Sequence, residues 1–290
     1  MKITFEWPRE KGRQTLDRLV ADQLTSRLGV PIGRGRARTA CEEGHVLVNG
    51  RRALGSLRRP SGAVKVEVSW TEGAVPTFVF DRDWIVAESD GLLAVRKPHG
   101  LLTHATADKS RQNLVDLLRQ ARADLGDLTL HHRLDKETSG LVLFSTSREV
   151  RVSVAQQFET RQVEKEYLCW VQGKRLDSHW VEEAPLRDRS GRVSVGPGQS
   201  ARTEFQLLQR RGGYCLLSAK PKTGRKHQIR AHLAHRGLPI VGDTLFGGEA
   251  HPRLLLHAFR LQLEHPATGE TLDLKAEPDQ SFTTKSSNIP

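Results

Sequence analysis

Asp135 stands in the segment His131-His132-Arg133-Leu134-Asp135-Lys136-Glu137-Thr138-Ser139-Gly140, which runs directly into Leu141-Val142-Leu143-Phe144. Four apolar residues in a row predict a buried strand, so the carboxylate sits at the mouth of a core. Thr138, Ser139 and Gly140 are the residue types of a tight, hydrogen-bonded turn. An Asp beside an Arg in a loop is by default a solvated ion pair or a helix cap. Two other segments argue for a chemical role. Residues 221–230, Pro-Lys-Thr-Gly-Arg-Lys-His-Gln-Ile-Arg, form a turn entering a helix and are dense in cations and hydrogen-bond donors. An arginine projecting from that helix would hold a cleft carboxylate ionised and aimed through a bidentate pair. Tyr167, in the strand-like run Lys165-Glu166-Tyr167-Leu168-Cys169-Trp170-Val171, would offer a flat face with a hydroxyl on its rim, suited to stacking on a base. Without other signals it reads as a core tyrosine.

Several chemistries lack their residues. His227, His232 and His235 have no paired Cys and no HExxH spacing, so they predict solvated or RNA-facing side chains, and no metal is expected. The Gly-Gly pairs at 212–213 and 247–248 read as turns, and there is no phosphate-binding loop, dinucleotide fingerprint or Gly-x-Ser-x-Gly elbow. A glycosidase needs a second carboxylate, and none partners Asp135 at an obvious site.

The elements that must position these groups form two parts. Residues 14–28 carry Leu16, Leu19, Val20 and Leu24 at helical spacing. A breaker run, a second helix through residues 36–43 ended by Gly44, and Val46-Leu47-Val48 entering the Asn49-Gly50 hairpin turn follow. Val64, Val66 and Val68 alternate as a half-buried strand. This is a compact unit of ~60 residues, marginal but feasible by itself. It resembles the alpha-L RNA-binding motif, on Thr15-Leu16-Asp17-Arg18-Leu19 and on residues 43–50, Glu-Gly-His-Val-Leu-Val-Asn-Gly. It departs from that motif in Gly33-Arg34-Gly35-Arg36 and in Gly62-Ala63.

Residues 71–79 read as a linker. The larger part opens with strands at 84–87 and 92–95 around the hairpin signal Asp90-Gly91, then a helix at 114–125. A strand after Asp135, a helix at 150–158, strands at 165–171, 202–209 and 214–220, a helix at 225–236 and a strand at 254–264 follow. Strands and helices interleave without a regular repeat, which predicts an α+β fold with a mixed sheet. The division expected is therefore residues 1–70, a linker 71–79, residues 80–277, and a polar, disordered tail 278–290.

Charge names a partner class. Lys and Arg total 45 against 34 Asp and Glu, a formal net charge of +11, with arginines clustered at 34, 36 and 38 and at 51, 52, 58 and 59. Clustered excess favours a polyanion. No amphipathic helix with a bulky apolar face lies beside these arginines, so nucleic acid is preferred over a membrane. Three scattered cysteines, Cys41, Cys169 and Cys215, give no disulfide framework, and with no signal-peptide pattern the expectation is a reducing cytoplasm. Nothing in the sequence demands more than a monomer.

Four ordered motifs then resemble the RluA family of pseudouridine synthases across nearly all of residues 80–275. They are Leu92-Leu93-Ala94-Val95-Arg96-Lys97-Pro98-His99-Gly100-Leu101, the 132–141 segment, Lys165-Glu166-Tyr167, and residues 223–233. Gly237-Leu238-Pro239-Ile240-Val241-Gly242-Asp243 and Leu254-Leu255-Leu256-His257-Ala258 extend the match. The resemblance implies the pseudouridine synthase fold with a mainly antiparallel central sheet, and RNA as substrate. Breakage of a uridine N1–C1′ bond and re-attachment through C5 follow, with no cofactor or metal. It makes Asp135 the essential carboxylate, acting by attack at C1′, addition at C6 or removal of a C2′ proton. Tyr167 becomes the residue stacked on uracil, Arg230 the partner of Asp135, and Arg133 the residue filling the space of a flipped-out nucleotide. By analogy large-subunit ribosomal RNA is the expected target, with transfer RNA, or a non-catalytic RNA-binding assembly factor, as alternatives.

Overall fold

A computed structural model describes residues 2–11, 14–29, 32–42, 45–53, 55–70, 78–106, 111–173, 176–189 and 192–282. The chain divides into two compact units, residues 1–77 with 105–111, and residues 78–104 with 112–290. The expected linker 71–79 falls largely outside the described residues. Its last two residues belong to the second unit, where Phe78 packs on a core.

The first unit comprises β1 (Lys2–Glu6), α1 (Leu16–Leu28), α2 (Arg34–Glu42), β2 (Val46–Val48), β3 (Arg51–Arg52) and β4 (Lys65–Ser69). Its sheet order is β1-β4-β2-β3, entirely antiparallel. Alternation in Lys2-Ile3-Thr4-Phe5-Glu6 was signal enough for β1, which the sequence reading omitted. The first-turn residue Asp17 of α1 is fully buried. It accepts from the Thr15 hydroxyl (2.5 Å), the Arg18 amide (2.8 Å) and Arg34 Nε (2.9 Å). Arg59 likewise spends its guanidinium on the carbonyls of Trp7, Pro60 and Gly62. Arg34 and Arg59 therefore help hold the unit together, and Arg38 also comes within 3.9 Å of the Asp17 carboxylate. Arg51 and Arg58 are exposed.

The second unit runs β5 (Ile85–Ser89), β6 (Leu92–Lys97), α3 (Leu114–Ala121), β7 (Thr129–Leu130), β8 (Ser139–Ser145), α4 (Arg148–Glu159) and β9 (Glu164–Gln172). It continues through β10 (His179–Glu182), β11 (Leu186–Arg189), β12 (Arg192–Val195), β13 (Thr203–Arg211), β14 (Tyr214–Pro221), α5 (Gln228–His235), β15 (Leu256–Glu264) and β16 (Thr271–Lys275). One ten-stranded sheet has the order β10-β13-β14-β9-β15-β8-β6-β5, with β7 on β8 and β16 on β15. Among the described residues only the β8–β15 pair of this sheet is parallel, so the sheet is mixed and mainly antiparallel, in an α+β unit.

β8 is buried along its whole length because both of its faces are covered. Leu141 and Leu143 pack with Val150 and Val154 of α4, whereas Val142 and Phe144 pack with Leu114 and Leu118 of α3. A third core gathers Cys169, Val171, Phe205, Leu217, Ile229 and Leu233 from β9, β13, β14 and α5. No described helix is long and apolar enough to cross a membrane.

Two expectations are corrected. Ser139 and Gly140 belong to β8, and the turn before it closes by the Thr138 amide donating to the Asp135 carbonyl. The expected tail 278–290 is ordered as far as Phe282, whose ring is 2% exposed. Arg253 holds this segment through Asp279 (2.7 Å) and the Ser281 hydroxyl (2.8 Å), and Phe282 supplies the apolar area that a polar composition obscures. Residues 283–290 lie outside the described residues.

Candidate active site

Asp135 is fixed through its neighbours on either side. Leu134 is buried, and its amide and carbonyl both bond the Thr103 hydroxyl, at 3.1 and 2.8 Å. The Lys136 carbonyl accepts from the Gly100 amide (2.9 Å) and from Lys97 Nζ (3.1 Å). Lys97 is fully buried and also donates to the carbonyls of Pro98 (2.9 Å) and Leu101 (2.7 Å). Three acceptors match the three hydrogens of an ammonium, while burial pushes the group down to about 7. Beyond the loop, Gly140 has φ +114°, and a Cβ there would lie 2.2 Å from the Ala258 carbonyl oxygen. Only glycine lets β15 run beside β8 at this point. His99 and Lys136 hold the Glu137 carboxyl down to about 2 against its partial burial.

Facing Asp135 is the N-terminal end of α5. His227 has φ +51°, a left-handed residue that starts the helix three positions later than the cation-rich stretch suggested. Its Nε2 is 3.6 Å from Asp135 Oδ2, and Arg230 Nη1 is 3.4 Å from the same oxygen. The bidentate pair expected between Arg230 and Asp135 is instead made to Asp243, by Nε and Nη2 at 2.7 Å each. Asp243 is wholly buried, and Arg230 is 8% exposed at its side chain against 31% for Asp135. Burial opposes the Arg230 charge, but Asp243 and then Asp135 outweigh it and raise its pKa. Arg230 is thus locked by one carboxylate and offers its remaining nitrogen to the other. Gly242, before Asp243, has φ +83° and would meet the Arg253 carbonyl if it bore a Cβ.

Tyr167 lies on β9 between Ala258 of β15 and Ala219 of β14, small neighbours that leave room for its half-buried ring. It packs against two of the cores. Burial and the Asp135 carboxylate push its phenol upward. The structure therefore brings Asp135, Arg230 and Tyr167 together. Arg133 is exposed on the loop, and neither a hydrogen bond nor an ion pair joins it to the other three among the described residues. His232, expected to be solvated or RNA-facing, is fully buried, bonded to the Thr203 hydroxyl (3.0 Å) and the Ala184 carbonyl (2.9 Å). His235 is exposed.

Sequence reasoning gave no role to Asp243, Lys97 or Thr103, and placed His227 only as a solvated or RNA-facing side chain, whereas its ring lies mostly buried beside Asp135. Asp243 and Lys97 sit inside motifs noted for the resemblance, and Lys97 continues at period two the buried strand face of Leu93 and Val95, which was a usable signal.

With this geometry in hand, the comparisons decide the family. Residues 91–235, half of the chain, match the model of the RNA pseudouridylate synthase family. The chain belongs to the RluA family of pseudouridine synthases. The ribosomal large subunit pseudouridine synthase C of Pasteurella multocida is 36% identical over 211 residues, 67% of this chain and 64% of that protein. The tRNA pseudouridine synthase C of Pectobacterium carotovorum is 34% identical over 223 residues, 67% of this chain and 59% of that protein. This chain thus spans less than two thirds of either relative. Human RNA pseudouridylate synthase domain containing 4 superposes with a TM-score of 0.60 at 26% identity, over 71% of this chain and 93% of that one.

Proposed function

We propose that the chain isomerises specific uridines in structured RNA, cleaving the N1–C1′ bond and re-attaching uracil through C5, with large-subunit ribosomal RNA as substrate. Asp135 is the reacting carboxylate. Arg230, clamped by Asp243, holds it aimed, and Tyr167 takes the uracil on its ring face. Arg133, exposed on the same loop, enters the space of the extruded nucleotide. The observation that carries the reading is the meeting of Asp135 and Arg230, 95 residues apart, beside the Tyr167 ring. Residues 1–70, the alpha-L-type unit, supply salt-sensitive RNA affinity.

Transfer RNA is the second reading, supported by the name of the Pectobacterium relative. A non-catalytic assembly factor is the reading from another class, and the intact Asp135–Arg230–Asp243 chain argues against it.

The test is release of tritium from C5-labelled uridine in ribosomal and transfer RNA taken from cells lacking this chain. Release by the wild type, lost in Asp135→Asn, is expected, from the ribosomal fraction first. An inactive wild type on both fractions overturns the proposal.

A further inference from the structure

Lys165 lies two residues before Tyr167 on β9, so the two side chains leave the strand on one side about 7 Å apart. The Lys165 ammonium is half-buried and sits 5.8 Å from the centre of the Phe158 ring. That ring stacks on His131 (6.1 Å, 5°) and His132 (5.3 Å, 26°), the first residues of the loop carrying Asp135. On its other side is the turn that leads into α5, where a Cβ on Gly224 would come within 3.9 Å of Lys165 Nζ. The ammonium therefore stands between the two segments that supply Asp135 and Arg230.

Among the described residues no carboxylate reaches ion-pair distance of Lys165 and no acceptor bonds its Nζ. Burial drives His131 down to about 4 and His132 to about 3, so both imidazoles are neutral near pH 7. The cations of the facing turn differ. Lys222 pairs with Glu204 (3.4 Å), Arg225 Nε donates to the Ser200 carbonyl (3.0 Å), and Lys226 pairs with Asp188 (3.3 Å). Removing a cation from water without an anion is unfavourable, and the face of Phe158 offsets only part of that cost. A residue held in this state fits an anion delivered by the ligand.

We propose that Lys165 binds a backbone phosphate of the RNA beside the nucleotide whose base lies on Tyr167. This rests on the function proposed above. The separation of the two side chains is within the span of one nucleotide from base to phosphate. Lys165 thus fixes the register of the strand, while Tyr167 and Asp135 act on its base.

The experiment uses the full chain and ribosomal RNA from cells lacking it, measuring RNA affinity against salt concentration together with tritium release. Lys165→Gln is expected to raise KM about tenfold with kcat within about threefold, and to lower the slope of log affinity on log salt by about 0.7. Lys165→Arg restores the slope, and Lys275→Gln, on β16, leaves it unchanged. A Lys165→Gln protein that releases tritium with the wild-type slope overturns the phosphate contact alone. So does a fall in kcat at constant KM, which marks a lysine acting on the transition state rather than holding the strand. A wild type that releases no tritium overturns the function, and this assignment with it.

Discussion

At the residue scale, the Arg230 guanidinium is divided between two carboxylates, and the division is unequal. Asp243 takes two short bonds and Asp135 one longer contact. Asp243→Ala strips the buried guanidinium of its two short bonds, leaving only the longer contact to Asp135, and is expected to cost about 3–5 kcal/mol in urea unfolding. A swing of Arg230 away from Asp135 is expected to lower kcat about 100-fold. Arg230→Lys will not rescue either property, since one ammonium cannot fork to Asp243 and still reach Asp135. Buried histidines set a second expectation. His132 accepts from the Leu143 amide, and His257 accepts from the Ser139 hydroxyl and donates to the Ala276 carbonyl. Burial lowers them to about 3 and about 4, respectively. The unfolded chain takes up these protons below about pH 6.5 while the folded chain does not. Stability is therefore complete above that pH and falls as pH drops through 6 toward 4. Each histidine contributes up to about 1.4 kcal/mol per pH unit. Denaturant unfolding between pH 4.5 and 7.5 should show a shallower fall in His132→Asn, and an unchanged slope would remove His132 from this account.

At the element scale, the site depends on how closely strands and turns approach one another. Gly140→Ala is expected to destabilise the protein by about 3 kcal/mol, because it is strained at φ +114° and drives into the backbone of β15. Activity should fall further than stability, as β8 carries the loop of Asp135. The C-terminal segment matters for the same reason. Arg253 joins Asp279 and Ser281 to the Ser139 hydroxyl at the start of β8 (2.6 Å), and Phe282 fills the core beneath. Ending the chain at Glu277 should cost about 3–5 kcal/mol, read as a lower denaturant midpoint, from loss of one buried Phe and its clamp. A truncated chain with the wild-type midpoint would show that the segment is dispensable.

At the scale of the whole molecule, the proposed labour is divided between a basic first unit, which would bind RNA, and the second unit, which carries the candidate site. Arg51 and Arg58 are exposed, unlike Arg59, which is consumed by its own backbone contacts. Replacing Arg51 and Arg58 with Gln should weaken RNA binding and flatten its salt dependence, leaving kcat at saturating RNA unchanged. A drop in kcat would place these arginines in the chemistry instead.

The residues proposed to form the site were legible in the sequence because each sits in a continuous local pattern. Asp135 precedes an apolar strand, Tyr167 lies in an alternating one, and Arg230 follows a cation-rich turn. The apolar runs of β6 and β8 fixed the core, and period-two alternation located most strands of the sheet. β16 was overlooked although Leu272 and Leu274 alternate. Pairings between distant segments were not legible. That Asp243 rather than Asp135 takes the bidentate bond of Arg230, that Lys97 caps the Lys136 carbonyl, and that Phe282 is core all follow from tertiary approach. Local periodicity reports which face of an element is apolar. Which buried charge meets which partner is decided only when separate elements close on one another and each desolvated group must find its complement.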